Sequence, residues 1–166
     1  MTTAIILFAH GARDPEWANP LRRVQAAIRQ RAGSVPVELA FLEFMTPTLP
    51  ECVAALIAGG AANILVLPMF IAQGGHLKRD VPEMLALLRS TYPEVRFSLA
   101  GAIGENEIVV QAMAEAARSD GHAWRRRASA VLTGIGTVLE DNPRMDVRLV
   151  PSSRQPLRVI VDSRLQ

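Results

Sequence analysis

The chain has a single cysteine, Cys52, in 166 residues, so no internal disulfide can form. Cys52 reads as a small buried apolar residue. No apolar run is long enough to cross a bilayer: "NILVLPMFIA" is broken by Pro68, and "TAIILFAHGA" is too brief. The N-terminus lacks the basic start and long apolar stretch of a signal peptide. Together these absences predict a protein of the reducing cytoplasm with no membrane partner. Neither sign of charge dominates, with 18 Lys and Arg against 16 Asp and Glu. Histidine is scarce, three in all, so the place of each one is informative.

What is present is apolar. A hydrophobic fraction of 49%, a charged fraction of 20% and a mean hydropathy of +0.18 exclude a disordered chain. The length suits one domain with an appendage, and a chain of this size needs no staple to fold. Charge is unevenly placed. Residues 1–119 hold 10 basic and 11 acidic side chains, whereas residues 120–166 hold 8 and 5. The basic "WRRR" cluster in the second part reads as a solvated face opening a helix. No nucleic-acid motif accompanies it, so no nucleic-acid partner is expected.

Punctuation and periodicity predict alternating strands and helices. Ala4–Ala9 is an apolar run with the flanks of a buried strand. Asp14-Pro15 suits a helix start, with Leu21, Val24, Ile28 and Ala32 at helical spacing and Gly33 as the stop. Val35–Phe44 predicts a second strand, Pro47 or Thr48 the start of a second helix, and Gly59-Gly60 its end. Ala62–Phe70 predicts a third strand. Asp80 is placed to cap a third helix, Val95–Ala100 is a fourth strand, and a fourth helix runs from Glu105 to about Arg118.

Such alternation implies a parallel sheet covered by helices on both faces. The expected architecture is a small open α/β sandwich of flavodoxin-like type, with strand order 2-1-3-4. A boundary near Ser119–Gly121 divides the chain into 1–119 and 120–166. The second part predicts a strand at Ala130–Leu132, a short helix near Thr137–Leu139 and a strand at Leu157–Asp162, a pattern that suggests a domain cut short.

In that strand order the first and third strands are neighbours, and their carboxyl ends flank the switch point where open α/β sheets take ligands. His10 ends the first strand and His76 lies in the loop after the third, so both fall at this crevice. Glu43, near the end of the second strand, reaches the same rim. Imidazole with carboxylate suits a first-row divalent ion, and few protein ligands would leave coordination positions open for chemistry. Arg13, Lys78 and Arg79 stand beside these histidines and suit carboxylate recognition. Gly74 and Gly75 suit a close ligand approach. His122 reads as a solvated residue at a helix start, outside the site.

The strand ending in "HGARDPEW", the "FLE" strand and "PMFIAQGGHLKRDVP" together resemble the small form of the sirohydrochlorin cobaltochelatases, and the related ferrochelatases and nickel chelatases, over about residues 3–118. The resemblance implies a chelatase-like three-layer sandwich. It also implies a lyase that inserts a divalent metal into sirohydrochlorin, on the way to cobalamin or sirohaem. Cobalt is the first candidate metal, with iron or nickel as alternatives. His10 and His76 match the family's metal-contacting histidines, and Glu43 its acidic residue. No organic cofactor and a homodimeric assembly are further implications. A non-catalytic metal- or tetrapyrrole-binding protein would share the same residues. The tail, "WRRRASAVLTGIGTVLEDNPRMDVR…RQPLRVIVDSRLQ", resembles the opening of the NADPH-dependent pyrimidine reductase domain of riboflavin biosynthesis. Most of that domain's length is missing, so a fused segment without reductase activity is expected.

Overall fold

The computed structural model describes residues 2–72 and 74–162, apart from the side chains of residues 75–77. The chain forms two compact units, Met1–Val109 and Val110–Gln166. In the first unit the strands are β1 (Thr2–Ala9), β2 (Val37–Phe41), β3 (Ala61–Pro68) and β4 (Arg96–Leu99). All pair in parallel, in the order β2-β1-β3-β4 that the sequence predicts. The intervening helices are α1 (Asn19–Ala32), α2 (Leu49–Ala58) and α3 (Gly75–Thr91).

The sheet divides the core in two because successive side chains of a strand point to opposite faces. From β1, Ile6 and Phe8 join Val53 of α2 and Leu85 of α3 on one face. Leu7 and Ala9 join Leu39 of β2 and Leu21 and Ile28 of α1 on the other. Ile6, Leu7 and Phe8 are fully buried, and each contributes about 1.5–3 kcal/mol by leaving water. This burial on both faces is why β1 is an unbroken apolar run and why it lies inside the sheet. Cys52 packs in the first cluster, where burial, aided by the Glu38 charge, pushes its thiol up to about 11.

Several local readings need correction. Val24 is exposed; α1 instead lays Gln25 and Arg29 against β2, where both donate to the Val37 carbonyl and Arg29 pairs with Glu38 at 2.8 Å. The third helix starts at Gly75 with Gly74 as its cap, so Asp80 lies inside it. Pro82 is also internal, and its missing N–H costs one helical hydrogen bond, offset by the burial of Val81, Leu85 and Leu88. Thr48 does cap α2, in a reciprocal box with Glu51.

The helix expected to stop near Arg118 continues as α4 from Glu107 to Arg127. The basic cluster therefore closes a helix, where cations favour the negative end of the dipole, and does not open one. His122 is not solvated either: it is 2% exposed within the second unit. Its Nδ1 accepts a hydrogen bond from the Arg148 backbone N–H at 3.3 Å. Burial, reinforced by Arg125 and Arg148, holds its pKa below 6.5. This anchoring explains how the helix passes through Gly121. Beyond it, β5 (Ala130–Gly134) and β6 (Leu157–Val161) pair in parallel, joined through α5 (Ile135–Asp141). Gln155 bridges both backbone groups of Val147, and Met145 and Val147 are buried nearby.

Candidate functional site

The site grows from the carboxyl ends of β1, β2 and β3. Past Ala9 the β1 chain keeps its pairing with the chain leaving β2: Leu42 N–H donates to Ala9 O and Glu43 N–H to His10 O, each at 2.9 Å. That ladder extension brings His10 and Glu43 together. His10 Nδ1 lies 3.7 Å from Glu43 Oε1, with both side chains half exposed. At that distance the pair makes no hydrogen bond, and with a protonated imidazole it would be an exposed ion pair worth about 1 kcal/mol or less. With Nδ1 facing the carboxylate, Nε2 is the nitrogen left to a ligand.

His10 is steadied from behind. The Phe70 ring meets it edge-to-face at a centroid distance of 5.2 Å, and Phe70 meets the fully buried Phe8 in the same way at 6.1 Å. Gly11 makes the close approach of the two chains feasible. Its φ is 88°, and a Cβ there would lie 2.0 Å from the Glu43 carbonyl oxygen. Gly104 does the same for the loop after β3, since a Cβ there would lie 2.1 Å from Ile71 O.

These residues surround an open pocket of about 700 Å³, lined by His10, Leu42, Glu43, Phe70, Ile71, Ala72, Gly74 and Asp80. Its size and its mix of apolar wall with a few charged groups suit a small-molecule ligand. Among the named candidates, His10, Glu43 and Gly74 line it. Arg13 stands with its guanidinium 5.4 Å from the Phe44 ring centroid. Lys78 and Arg79 lie exposed in α3, and Arg79 pairs with Asp80 at 3.6 Å. Gly75 and His76 are the first two residues of α3; the His76 side chain, and so its distance from His10, lies outside the described residues. Among the described residues no three His, Cys, Asp or Glu side chains gather as a cation cage.

Sequence reasoning passed over four contributors. Asp80 reads as a helix cap and not as a pocket wall. Phe70 reads as strand. Gly11, two residues past β1, and Gly104, in the turn that follows β4, carry no local signal, because their role depends on which chain crosses them.

Parallel strands, helices on both faces and a pocket at the switch point define an open α/β protein with a cleft at the carboxyl edge of its sheet, where folds of this class take ligands. More particularly, the chain belongs to the CbiX family, whose model matches residues 4–120. The model of the RibD C-terminal domain matches residues 95–166. A sirohydrochlorin cobaltochelatase of Methanococcus aeolicus is 36% identical over 85 residues, 51% of this chain and 59% of that protein. The sirohydrochlorin ferrochelatase of Bacillus subtilis is 35% identical over 142 residues, 82% of this chain and 52% of that protein. SirB from Bacillus subtilis, solved with Fe3+, superposes with a TM-score of 0.63 at 32% identity, over 81% of this chain and 53% of that one. The chain thus spans between half and three-fifths of the length of these curated relatives. No helix among the described residues is long and apolar enough to cross a membrane.

Proposed function

We propose that this chain inserts a divalent metal into sirohydrochlorin. The observation that carries the reading is the contact of His10 with Glu43 at the switch point of a CbiX-family sheet. The relatives named for cobalt and for iron insertion support it, as does the neighbour solved with Fe3+. In this reading His10 and His76 receive the metal ion from water and leave it open positions for the ring nitrogens. Insertion releases two pyrrole protons for each ion bound. Glu43, beside His10, is placed to accept them, and a histidine freed from the metal is the other candidate. Arg13, Lys78 and Arg79 hold peripheral carboxylates of the substrate, while Gly74 and Gly75 admit the ring closely. The reaction needs no organic cofactor, runs in the cytoplasm, and is carried out by a homodimer.

The donor set accepts cobalt, iron and nickel alike, and cobalt is the first to test. The deciding experiment is anaerobic incubation of the full chain with sirohydrochlorin and each of Co2+, Fe2+ and Ni2+, following the absorbance of the ring. Turnover lost in His10→Ala with an unchanged melting temperature is the expected result. Stoichiometric binding of metal or ring without turnover would replace the enzyme by a carrier.

A further inference from the structure

Immediately after Glu43 the backbone does something unusual. Met45 N–H donates to the Glu43 carbonyl at 2.8 Å, closing a three-residue turn around Phe44, whose φ is 62°. A γ-turn of this hand is rare and strained, and a bulky aromatic residue at positive φ is a real outlier. Glycine would relieve that strain. Nor does burial repay it, because Phe44 is 59% exposed. The conformation is nevertheless held from two sides. Gly11 admits the Glu43 carbonyl, and the Arg13 guanidinium lies over the Phe44 ring at 5.4 Å. Backbone strain of this kind concentrates where a ligand is gripped.

The sheet order adds a second observation. β2 and β3 flank β1, so Phe44 follows one neighbour of His10 and Ile71 follows the other. Ile71 lines the pocket, is 67% exposed, and has its backbone fixed against Gly104. Strands are about 4.8 Å apart, so the two flanking chain ends stand about 10 Å apart. The strands on either side of His10 thus each lead into an exposed apolar side chain, Ile71 in the pocket wall and Phe44 next in the chain to Glu43. That pattern complements a flat ring with a polar centre, an apolar body and a charged rim.

Building on the chelatase reading, we propose that Phe44 is a specificity-determining substrate contact. Its ring, pushed out by the γ-turn, packs on one pyrrole of the macrocycle, while Arg13 beside it takes a carboxylate at the rim. The tetrapyrrole's face is recognised separately from its metal-reactive centre.

The test compares Phe44→Gly, Phe44→Leu and Phe44→Tyr in the full chain. Glycine accepts φ 62° freely, so it keeps the turn and Glu43 in place while deleting the ring. Phe44→Gly is expected to melt no lower than the parent. Its KM for sirohydrochlorin, and the Kd from metal-free absorbance titration, should rise about five- to tenfold, as fits loss of an aromatic contact. The kcat and the KM for Co2+ should hold. Phe44→Leu should follow glycine in part, and Phe44→Tyr should match the parent. Unchanged sirohydrochlorin KM and Kd in both Phe44→Gly and Phe44→Leu would overturn the proposal. So would a fall in kcat alone, which marks a turn that merely positions Glu43. A parent chain that neither binds nor metallates sirohydrochlorin would instead refute the chelatase reading itself.

Discussion

At Gly11 the backbone sits at φ 88°, and a Cβ would lie 2.0 Å from the Glu43 carbonyl oxygen. Neither chain can yield easily, because Glu43 N–H is bonded to His10 O in the same crossing. Gly11→Ala is therefore expected to lower stability by about 1–3 kcal/mol, read by chemical denaturation, through the left-handed φ and the displaced ladder. It should also lower metal insertion in the fraction that folds. A variant as stable and as active as the parent would show that the crossing is not tight. Glu43→Gln makes a complementary test, since the amide keeps the shape but cannot accept a proton. Turnover is expected to fall about 10²–10⁴-fold, the span of general-base contributions, with much smaller change in metal affinity by calorimetry. Unchanged turnover would leave Glu43 a solvent-facing residue. At this scale the sequence made His10 and Glu43 readable because both stand at the ends of apolar runs. Gly11, Phe70 and Asp80 were not readable, since their part in the pocket depends on contacts between segments far apart in the chain.

Elements were legible where burial on both faces imposes an unmistakable pattern. β1 through β4, their parallel order and the cap at Thr48 follow from apolar runs and turn residues alone. Helix ends were less legible, because local punctuation can be overruled. Gly121 suggests a break, yet α4 passes through it and buries His122 one residue later. That burial has a consequence in pH. The Nδ1 atom accepts from Arg148 N–H, so the bonded form is neutral, and desolvation with Arg125 and Arg148 holds the pKa below 6.5; Arg118 adds to this and Asp146 opposes it. As pH falls below 6.5, the unfolded chain takes up a proton that the folded chain refuses, so stability declines until the lower folded value is passed. Asp146 does not confuse this window, because it titrates below 3.8: burial resists its ionisation, but the Arg148 hydrogen bond and the Arg148 and Arg144 charges prevail. The opening free energies read from amide exchange in the second unit, once corrected for the intrinsic slowing of exchange as pH falls, should therefore decrease from pH 7.5 to 5.5. His122→Gln, which offers an acceptor without a titrating ring, should flatten that dependence. Equal pH sensitivity in the parent and His122→Gln would assign the effect elsewhere.

For the molecule as a whole, the question is what the second unit contributes. Both apolar clusters that hold the four-stranded sheet are drawn from residues between Ala4 and Ala102. The described residues that line the pocket run from His10 to Asp80. The second unit, by contrast, has a two-stranded sheet that leaves Leu132, Leu157, Ile160 and Val161 open to water. Two strands with exposed apolar faces are marginal as an independent core. The model of the RibD C-terminal domain matches residues 95–166, which overlap α4 and include both of these strands. Removing residues 128–166 while keeping α4 whole is accordingly expected to leave metal insertion close to that of the full chain. His122 loses its Arg148 partner in that truncation, but exposure to water satisfies an imidazole that burial no longer constrains. Circular dichroism would establish that the shortened chain is folded before turnover is compared. The full chain, titrated with NADPH by fluorescence, is expected to show no saturable binding. A folded truncation that has lost insertion would place the second unit in the working enzyme. Tight NADPH binding would mean that the short α/β segment holds a nucleotide site, and the reading of it as a passenger would fall.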